Sequence, residues 1–226
     1  KLNSDSINEY LSLNYLTNNK TFFKDIKSLK PASYILLDSK NFGSNITTKK
    51  YWFLENYFIN KTEDSFDQAS EKIDSLIKQS IKQKMFSDVN NGVFLSGGID
   101  SSIISSNLKE IDNHLMSAHN ISFTEDTFDE AKDAKIIAEH LKIKLKHYQI
   151  PSEEELVTEF PKIIDAMDQP MSDTSFVSTY YLSKYSVKKS KVVLSGDGAD
   201  EMFGGYDTYI ADIYRNLLPK IDLNFK

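Results

Sequence analysis

Two short apolar segments, each followed directly by Ser-Gly and then by an acidic residue, constrain the fold of this chain more than any other feature. The first segment, Val93 to Leu95, precedes Ser96 to Ser102, and the second, Val192 to Leu194, precedes Ser195 to Tyr206. Three apolar residues are too few for a helix, so a buried strand fits each segment best. Each segment therefore predicts a strand that ends in a glycine-containing loop.

Apolar residues elsewhere recur at steps of three and four, which is the spacing of one face of an α-helix. Ser65 and Gln68 form a plausible capping box at the start of the first such segment. Helices are predicted from Ser65 to Met85, Ser101 to Lys109, Asp129 to Leu141, from Ser152 onward and from Thr174 to Lys188, and further strands from Met116 to Phe123 and Leu145 to Ile150. Strands that alternate with helices predict an α/β protein with a doubly wound parallel sheet.

The first 55 residues differ from the rest, because they mix Asn, Ser, Lys and aromatic residues with short apolar alternations. The stretch from Lys40 to Ile46 is typical of a turn between two strands. This part is therefore predicted to be a small strand-bearing segment, too short to form a domain alone.

Composition excludes several classes of function. The 226 residues carry a net charge of −6, and the lysines are scattered among acids, so no nucleic-acid binding is predicted. The longest apolar runs are far shorter than the roughly 20 residues of a membrane-spanning helix, so no membrane association is predicted. The chain has no Cys, which excludes disulfides, thiolate catalysis and Cys-type zinc sites within it and fits a cytoplasmic location.

The first loop has the groups that an anion site needs. Gly97 and Gly98 let the backbone approach a ligand closely, and successive N–H groups at a helix N-terminus attract negative charge. Hydroxyls follow from Ser96, Ser101 and Ser102, while the Asp100 carboxylate suits a magnesium ion rather than a phosphate. An ordinary strand–turn–helix connection with a capped helix is the alternative.

The second loop is acidic. Asp197, Asp200 and Glu201 lie within five positions and repel one another unless cations or strong donors are near. An acidic surface loop is the alternative. If both strands belong to one parallel sheet, both loops lie at its carboxyl edge, where open α/β sheets bind ligands.

Several ordered motifs together resemble a known family. The Ser96–Ser102 loop resembles the pyrophosphate-binding loop of the ATP pyrophosphatases, and the stretch Ser195–Tyr206 is similar to that of the glutamine-hydrolysing asparagine synthetases. Further similarity covers Asp88–Gly92, Phe128–Glu130 with His147, Asp168–Ser175, and in the first 55 residues Thr21–Ile26, Leu29–Pro31 and Tyr51–Trp52. The fold that this resemblance implies is adenine nucleotide α-hydrolase-like, of the PP-loop ATP-pyrophosphatase type and truncated at the C-terminus.

The resemblance implies a domain division and a reaction. Residues 1–56 would be the remnant of a glutaminase domain with its linker, and 57–226 the N-terminal part of the synthetase domain. The synthetase would use ATP and Mg²⁺ to convert aspartate to β-aspartyl-AMP with release of pyrophosphate, and ammonia from glutamine would then give asparagine. The implied partner is the glutaminase domain of the same polypeptide, and a homodimer is left open. An amidotransferase for another carboxylic acid, such as a sugar acid, and a non-catalytic nucleotide-binding module are the alternatives.

The resemblance also implies roles for individual residues. Leu95 and either Ser122 or Phe123 would contact adenosine through backbone atoms, and the family's catalytic Lys would lie beyond Lys226. ATP and pyrophosphate would be bound by Leu95, Ser96, Gly97, Gly98, Asp100, Ser101, Ser122, Ser195 and Gly196, the metal by Asp100 and Asp200, and the catalytic set would be Asp100, Asp197 and Asp200. Gln169 stands where the family usually has Glu, and Asn90 and Ser178 where it has Pro, which leaves the acceptor acid undetermined.

Overall fold

The structure, a computed structural model, describes residues 1–37, 46–85, 88–112, 117–122 and 130–215. In chain order its elements are α1 (Ser4–Leu13), β1 (Ser33–Leu36), β2 (Thr47–Lys50), α2 (Glu55–Ile59), α3 (Phe66–Lys84), β3 (Asn91–Phe94), α4 (Ile99–Ile111), β4 (Ser117–Ser122), α5 (Glu130–Leu141), β5 (Lys144–Gln149), α6 (Glu153–Asp165), α7 (Ser175–Ser186), β6 (Val192–Leu194), α8 (Ala199–Phe203) and α9 (Asp207–Arg215). No helix among these residues is long and apolar enough to cross a bilayer.

The chain divides into two compact units. One combines Lys1–Ser70 with Glu155–Val177, and the other combines Glu71–Glu154 with the described residues from Ser178 onward. This division by compactness does not test the predicted boundary after residue 56 between a glutaminase remnant and a synthetase domain, which stays a prediction.

The first unit contains an antiparallel pair of strands. β1 pairs with β2 in a register that sets Ser33 opposite Lys50 and Leu36 opposite Thr47, so the predicted strand-bearing segment is present. The predicted turn at Lys40–Ile46 lies almost wholly outside the described residues. Helix α1 was not predicted; its first turn is capped by Asn3, whose side chain accepts a hydrogen bond from the Asp5 N–H.

The capping box predicted at the start of α3 is confirmed. The Ser65 N–H donates to Gln68 Oε1 at 3.0 Å, and the Gln68 N–H donates to Ser65 Oγ at 3.3 Å. These two bonds satisfy backbone donors that the first turn of a helix otherwise leaves without acceptors. The helix then runs for 19 residues, to Lys84.

The second unit contains a four-stranded parallel sheet with the strand order β5-β4-β3-β6. In the register, Val93 of β3 lies between Ala118 of β4 and Leu194 of β6. The predicted strands from Met116 and Leu145 are β4 and β5, each within a residue or two of its predicted bounds. The alternation of strands and helices therefore gives the parallel sheet that the sequence predicts.

One face of this sheet carries the apolar core. Val93, Leu95 and Ala118 point to the same face because side chains alternate along a strand. They belong to one buried cluster with Ile81 of α3, Leu108 of α4, Ala134 and Ala138 of α5, and Ile143. Full burial of a Leu-sized side chain stabilises a fold by about 2 kcal/mol. Apolar burial therefore holds α3, α4 and α5 on this face.

The opposite face is polar at its centre. His119 is fully buried, with Nδ1 3.1 Å from the Tyr148 hydroxyl and Nε2 3.0 Å from Ser190 Oγ. Burial lowers the pKa of His119, and the charge of Lys146 lowers it further, so the imidazole is neutral at pH 7. The Tyr148 ring also lies 5.3 Å from the ring of Tyr185, which brings α7 to this face. Helices thus cover both faces, and the sheet is doubly wound.

The direction of winding reverses between β3 and β6. From β3 the chain proceeds to β4 and then β5 on one side, and it returns to β6 on the other side of β3. In open α/β sheets, ligands bind outside the carboxyl ends of the strands at such a reversal. The two strands that meet here are the ones followed by Ser96 and Ser195.

Gly97 and Gly98 differ in what a side chain would meet. Gly97 has φ = +103°, and a Cβ there would lie 2.7 Å from the Ala134 N and 2.8 Å from the Asp133 Cβ. We expect Gly97→Ala to lose about 3 kcal/mol of unfolding free energy, since left-handed strain and overpacking add. Gly98 has φ = −70° and only Ser96 Oγ at 3.3 Å. Gly98→Ala should lose less than about 1 kcal/mol. Denaturant unfolding of both variants measures this, and equal losses would contradict the packing described.

Glu9 predicts a pH dependence in the first unit. Its carboxylate pairs with Lys20 and accepts from the Thr17 N–H at 2.7 Å, and these bonds, that from Lys20 first, lower its pKa from 4.5 to about 2. A depressed pKa contributes stability that is complete above pH 4.5 and is lost as pH falls toward 2. Wild type should therefore be more stable than Glu9→Gln at pH 6, with the difference disappearing across that window. Denaturation against pH measures it; exposed Glu63→Gln is the control, and a difference that grows on acidification would refute the assignment.

Candidate functional site

The two Ser-Gly loops are in contact at the carboxyl edge of the sheet. A Cβ on Gly196 would lie 2.9 Å from the Asp100 Cβ and 2.9 Å from the Ser101 backbone nitrogen. The backbone of the second loop therefore packs directly on the first turn of α4. Glycine is needed for this approach, because a side chain would separate the loops.

A ring of hydrogen bonds fixes the shape of the first loop. The Gly98 N–H donates to Ser96 Oγ at 3.1 Å, and the Ser101 hydroxyl donates to the Gly98 carbonyl at 3.1 Å. Since Ser101 uses its proton there, the 3.0 Å contact between the two hydroxyls is donated by Ser96. Both hydroxyls predicted to bind phosphate are thus used within the loop, and either must rotate outward to donate to a ligand.

The backbone at the start of α4 offers further donors at this loop. The helix begins at Ile99, and Gly98 at its cap position has no side chain that could accept from the first turn. The first N–H groups of any helix lack intrahelical acceptors and carry the positive end of the helix dipole. A strand, a glycine turn and a 13-residue helix in this order form an arrangement that binds anionic groups.

The second loop is held by its own side chains. The Ser195 hydroxyl donates to Asp197 Oδ2 at 2.8 Å, and Gly198, with φ = +91°, precedes α8. The N–H groups of Gly204 and Gly205 donate to the Asp200 carbonyl at 2.9 and 3.0 Å. A Cβ on Gly205 would overlap the Asp200 carboxylate, so that carboxylate lies against the glycine pair.

Glu201 and Tyr206 interact with each other. The Tyr206 hydroxyl donates to Glu201 Oε1 at 2.8 Å, and this bond is the main reason that the pKa of Tyr206 rises to about 12. The pair lies at the end of the second loop, and its hydrogen bond gives both residues a structural role there.

The carboxylates do not form a preassembled metal cage. No group of three or more His, Cys, Asp or Glu side chains suited to a metal occurs within the described ranges. Mg²⁺ is commonly bound through one or two protein carboxylates together with substrate phosphates, so the predicted pair Asp100 and Asp200 fits that ion by its chemistry. The role of either residue in binding a metal stays a prediction.

Three polar side chains of β4 and β5 form a series of hydrogen bonds that reaches the first loop. Asn120 Nδ2 donates to the Leu95 carbonyl at 2.8 Å, His147 Nδ1 lies 2.8 Å from Asn120 Oδ1, and His147 Nε2 lies 3.1 Å from Ser122 Oγ. Sequence reasoning missed Asn120. The signal was available, because an amide in the middle of a predicted buried strand needs hydrogen-bond partners.

Leu95, which is predicted to contact adenosine, has hydrogen-bond partners for its backbone. The Leu95 N–H donates to the His119 carbonyl at 2.9 Å, so both backbone groups of Leu95 already have partners within the sheet. A contact from Leu95 to adenosine would use the second lone pair of its carbonyl. Phe123, Phe128 and Asp129 lie outside the described residues.

The Asp168–Ser175 motif lies in the first compact unit. There the Ser175 N–H donates to Asp173 Oδ1 at 2.8 Å, immediately before α7. This hydrogen bond, first among its causes, lowers the pKa of Asp173. The motif thus provides the start of a helix.

Comparisons with known proteins agree with these motifs. The sequence profile of the family described as asparagine synthase matches residues 72–224. A glutamine-hydrolysing asparagine synthetase of Bacillus subtilis is 34% identical over 92% of the chain, and a Methanocaldococcus jannaschii protein provisionally given the same activity is 30% identical over 97%. The chain spans only 32% and 42% of the lengths of these two relatives.

Among solved structures, an ammonia-dependent NAD synthetase of Campylobacter jejuni aligns with a TM-score of 0.41 and 19% identity, over 63% of this chain and 61% of its own. The profile match covers more than half of the chain and includes both Ser-Gly loops. The chain therefore belongs to the asparagine synthase family.

Proposed function

We propose that the carboxyl edge between β3 and β6 binds ATP and serves the adenylation of a carboxylic acid, with aspartate as the acceptor and ammonia as the second substrate. The observation that carries this proposal is the packing of Gly196 on Asp100 and Ser101, which brings the acidic second loop against the anion-suited first loop where the sheet reverses direction. Membership of the asparagine synthase family supports the choice of acceptor.

The first loop would bind the phosphates. The uncapped N–H groups at the start of α4 point to the same edge as the loop hydroxyls, and the glycines let a phosphate approach the backbone. Adenylation depends mainly on positioning and on neutralising charge, so no covalent nucleophile of the protein is required.

Neutralising charge needs cations, and neither loop supplies one. Residues 96–106 and 195–214 contain no Lys or Arg. When bound, Mg²⁺ would neutralise charge on the phosphates, with Asp100 and Asp200 as the residues that hold it. The carboxylate of Asp197, which accepts from Ser195, would help to orient the second loop beside the nucleotide.

The second loop would lie against the AMP portion. Ser195 and Gly196 follow β6, the strand next to β3, and Ser122 ends β4 on the other side of β3. An adenosine placed across these strand ends would contact backbone atoms of Leu95 and Ser122. Residues 1–56 are proposed to be the end of a glutaminase domain, whose partner role would be to deliver ammonia.

The proposal is tested first by titration of the chain with ATP and MgCl₂ in a calorimeter. Acid-dependent exchange of labelled pyrophosphate into ATP is then measured with a panel of carboxylic acids, in the chain and, where the native polypeptide is longer, in that polypeptide. Exchange with aspartate supports the proposed acceptor. Exchange with a different acid replaces the acceptor and keeps the reaction class, whereas lack of ATP binding refutes the nucleotide site.

Asp100→Asn should raise the MgCl₂ concentration that ATP binding requires, because it removes the charge and keeps the side-chain volume. We expect about tenfold more MgCl₂ for half-maximal binding, since hydrogen bonds and contacts to charged groups contribute roughly 1.5–3 kcal/mol. Asp67→Asn is the matched control, because Asp67 also lies in the first turn of a helix and loses the same dipole interaction. An unchanged magnesium requirement in Asp100→Asn would remove this residue from the metal site.

The chain should not release ammonia from glutamine. It has no Cys, so it cannot release ammonia from glutamine through a thiolate. Incubation of the purified chain with glutamine should therefore yield no glutamate above a no-protein blank. Glutamate formation that follows the chain through purification would contradict this expectation.

A further inference from the structure

The peptide unit between Leu95 and Ser96 is held on both sides. Its carbonyl, on Leu95, accepts from Asn120 Nδ2 at 2.8 Å, and its N–H, on Ser96, donates to Ser101 Oγ at 3.2 Å. The carbonyl and the N–H of one peptide point in opposite directions within one plane. The orientation of this plane sets the direction in which the chain leaves β3 to form the loop.

The carbonyl side of this peptide depends on a buried amide. Asn120 is 4% exposed and lies opposite His147 in the register of β4 and β5. An amide has one accepting end and one donating end, and only the donating end can bind the Leu95 carbonyl. If the amide were turned over, two oxygen atoms would face each other at hydrogen-bond distance.

His147 determines which end faces the loop. Asn120 Oδ1 can only accept, so His147 Nδ1, 2.8 Å away, carries a proton. In the neutral ring Nε2 is then an acceptor, and the Ser122 hydroxyl donates to it across 3.1 Å. One direction of donation therefore runs from Ser122 through His147 and Asn120 to the Leu95 carbonyl.

We infer that Asn120 is a positioning residue for the loop that begins at Ser96, and that His147 fixes the orientation of the Asn120 amide. The inference rests on the proposed function insofar as that loop binds ATP. His147 is exposed at the carboxyl edge whereas Asn120 is buried. His147 can therefore be substituted with little effect on the core, and it gives the cleaner test.

Three substitutions of His147 separate the positioning role from simple space filling. His147→Phe keeps a ring and removes both hydrogen bonds. His147→Asn can place an amide nitrogen where Nδ1 stands, and His147→Gln extends an amide to the position of Nε2. We expect His147→Phe and His147→Gln to weaken ATP binding roughly three- to tenfold, as for the loss of one hydrogen bond. His147→Asn should keep most of the wild-type affinity for ATP.

Asn120→Asp is the companion variant. Its carboxylate can still accept from His147 but cannot donate to the Leu95 carbonyl, so ATP binding should weaken at least tenfold. The melting temperature of every variant is measured alongside. If Asn120→Asp does not fold, the three His147 variants still decide the result, because that side chain is exposed.

NMR of the imidazole nitrogens tests the arrangement without any ligand. In the neutral imidazole of wild-type His147, Nδ1 should carry the proton and Nε2 should not, and the opposite tautomer would overturn the inference. Failure of wild type to bind ATP would refute the proposed function alone, since the tautomer is measured independently. If wild type binds ATP and folded His147→Phe binds it equally well, the positioning role is wrong and the nucleotide site stands.

Discussion

The contact of Gly196 with the first turn of α4 is the constraint on which the site depends. It requires that β6 lie beside β3 in parallel, that both strands end at the same level, and that no side chain stand between them. The parallel pairing of β3 with β6, with Val93 opposite Leu194, meets the first two requirements. Glycine meets the third. The fold thus places two loops that are almost a hundred residues apart in sequence within van der Waals contact.

Two adjacent buried polar residues of β4 have hydrogen-bond partners on opposite faces of the sheet. His119 is buried between Tyr148 and Ser190 on one face, and Asn120, the next residue, reaches Leu95 and His147 on the other. Buried polar groups are costly unless their partners are in place, so each tolerates few alternative arrangements. Two adjacent residues of β4 therefore bind it to β5, to the start of the first loop and to the segment before β6.

Local patterns predicted much of this architecture. The strand bounds of β6, the capping box at Ser65 and the helix periods depend on residues a few positions apart, and such patterns are visible in a sequence. The link from Asn120 to Leu95 joins residues 25 apart and that to His147 joins residues 27 apart, so only the assembled sheet reveals them. Helix α1 was missed because tertiary contacts support it, including the ring of Tyr10 5.4 Å from that of Phe22. Helix α8 has five residues, too few to display a period.

The shortness of β6 has a consequence for how the site loses structure. This strand has three residues and a single neighbour, β3, among the strands described, so few hydrogen bonds hold it to the sheet. Local opening of such an edge costs far less free energy than global unfolding. Opening would carry Ser195 and Gly196 away while the core under Leu95 stayed intact. A ligand that contacts both loops would then hold β6 against β3. Part of its binding free energy would appear as slower hydrogen exchange of the β6 amides.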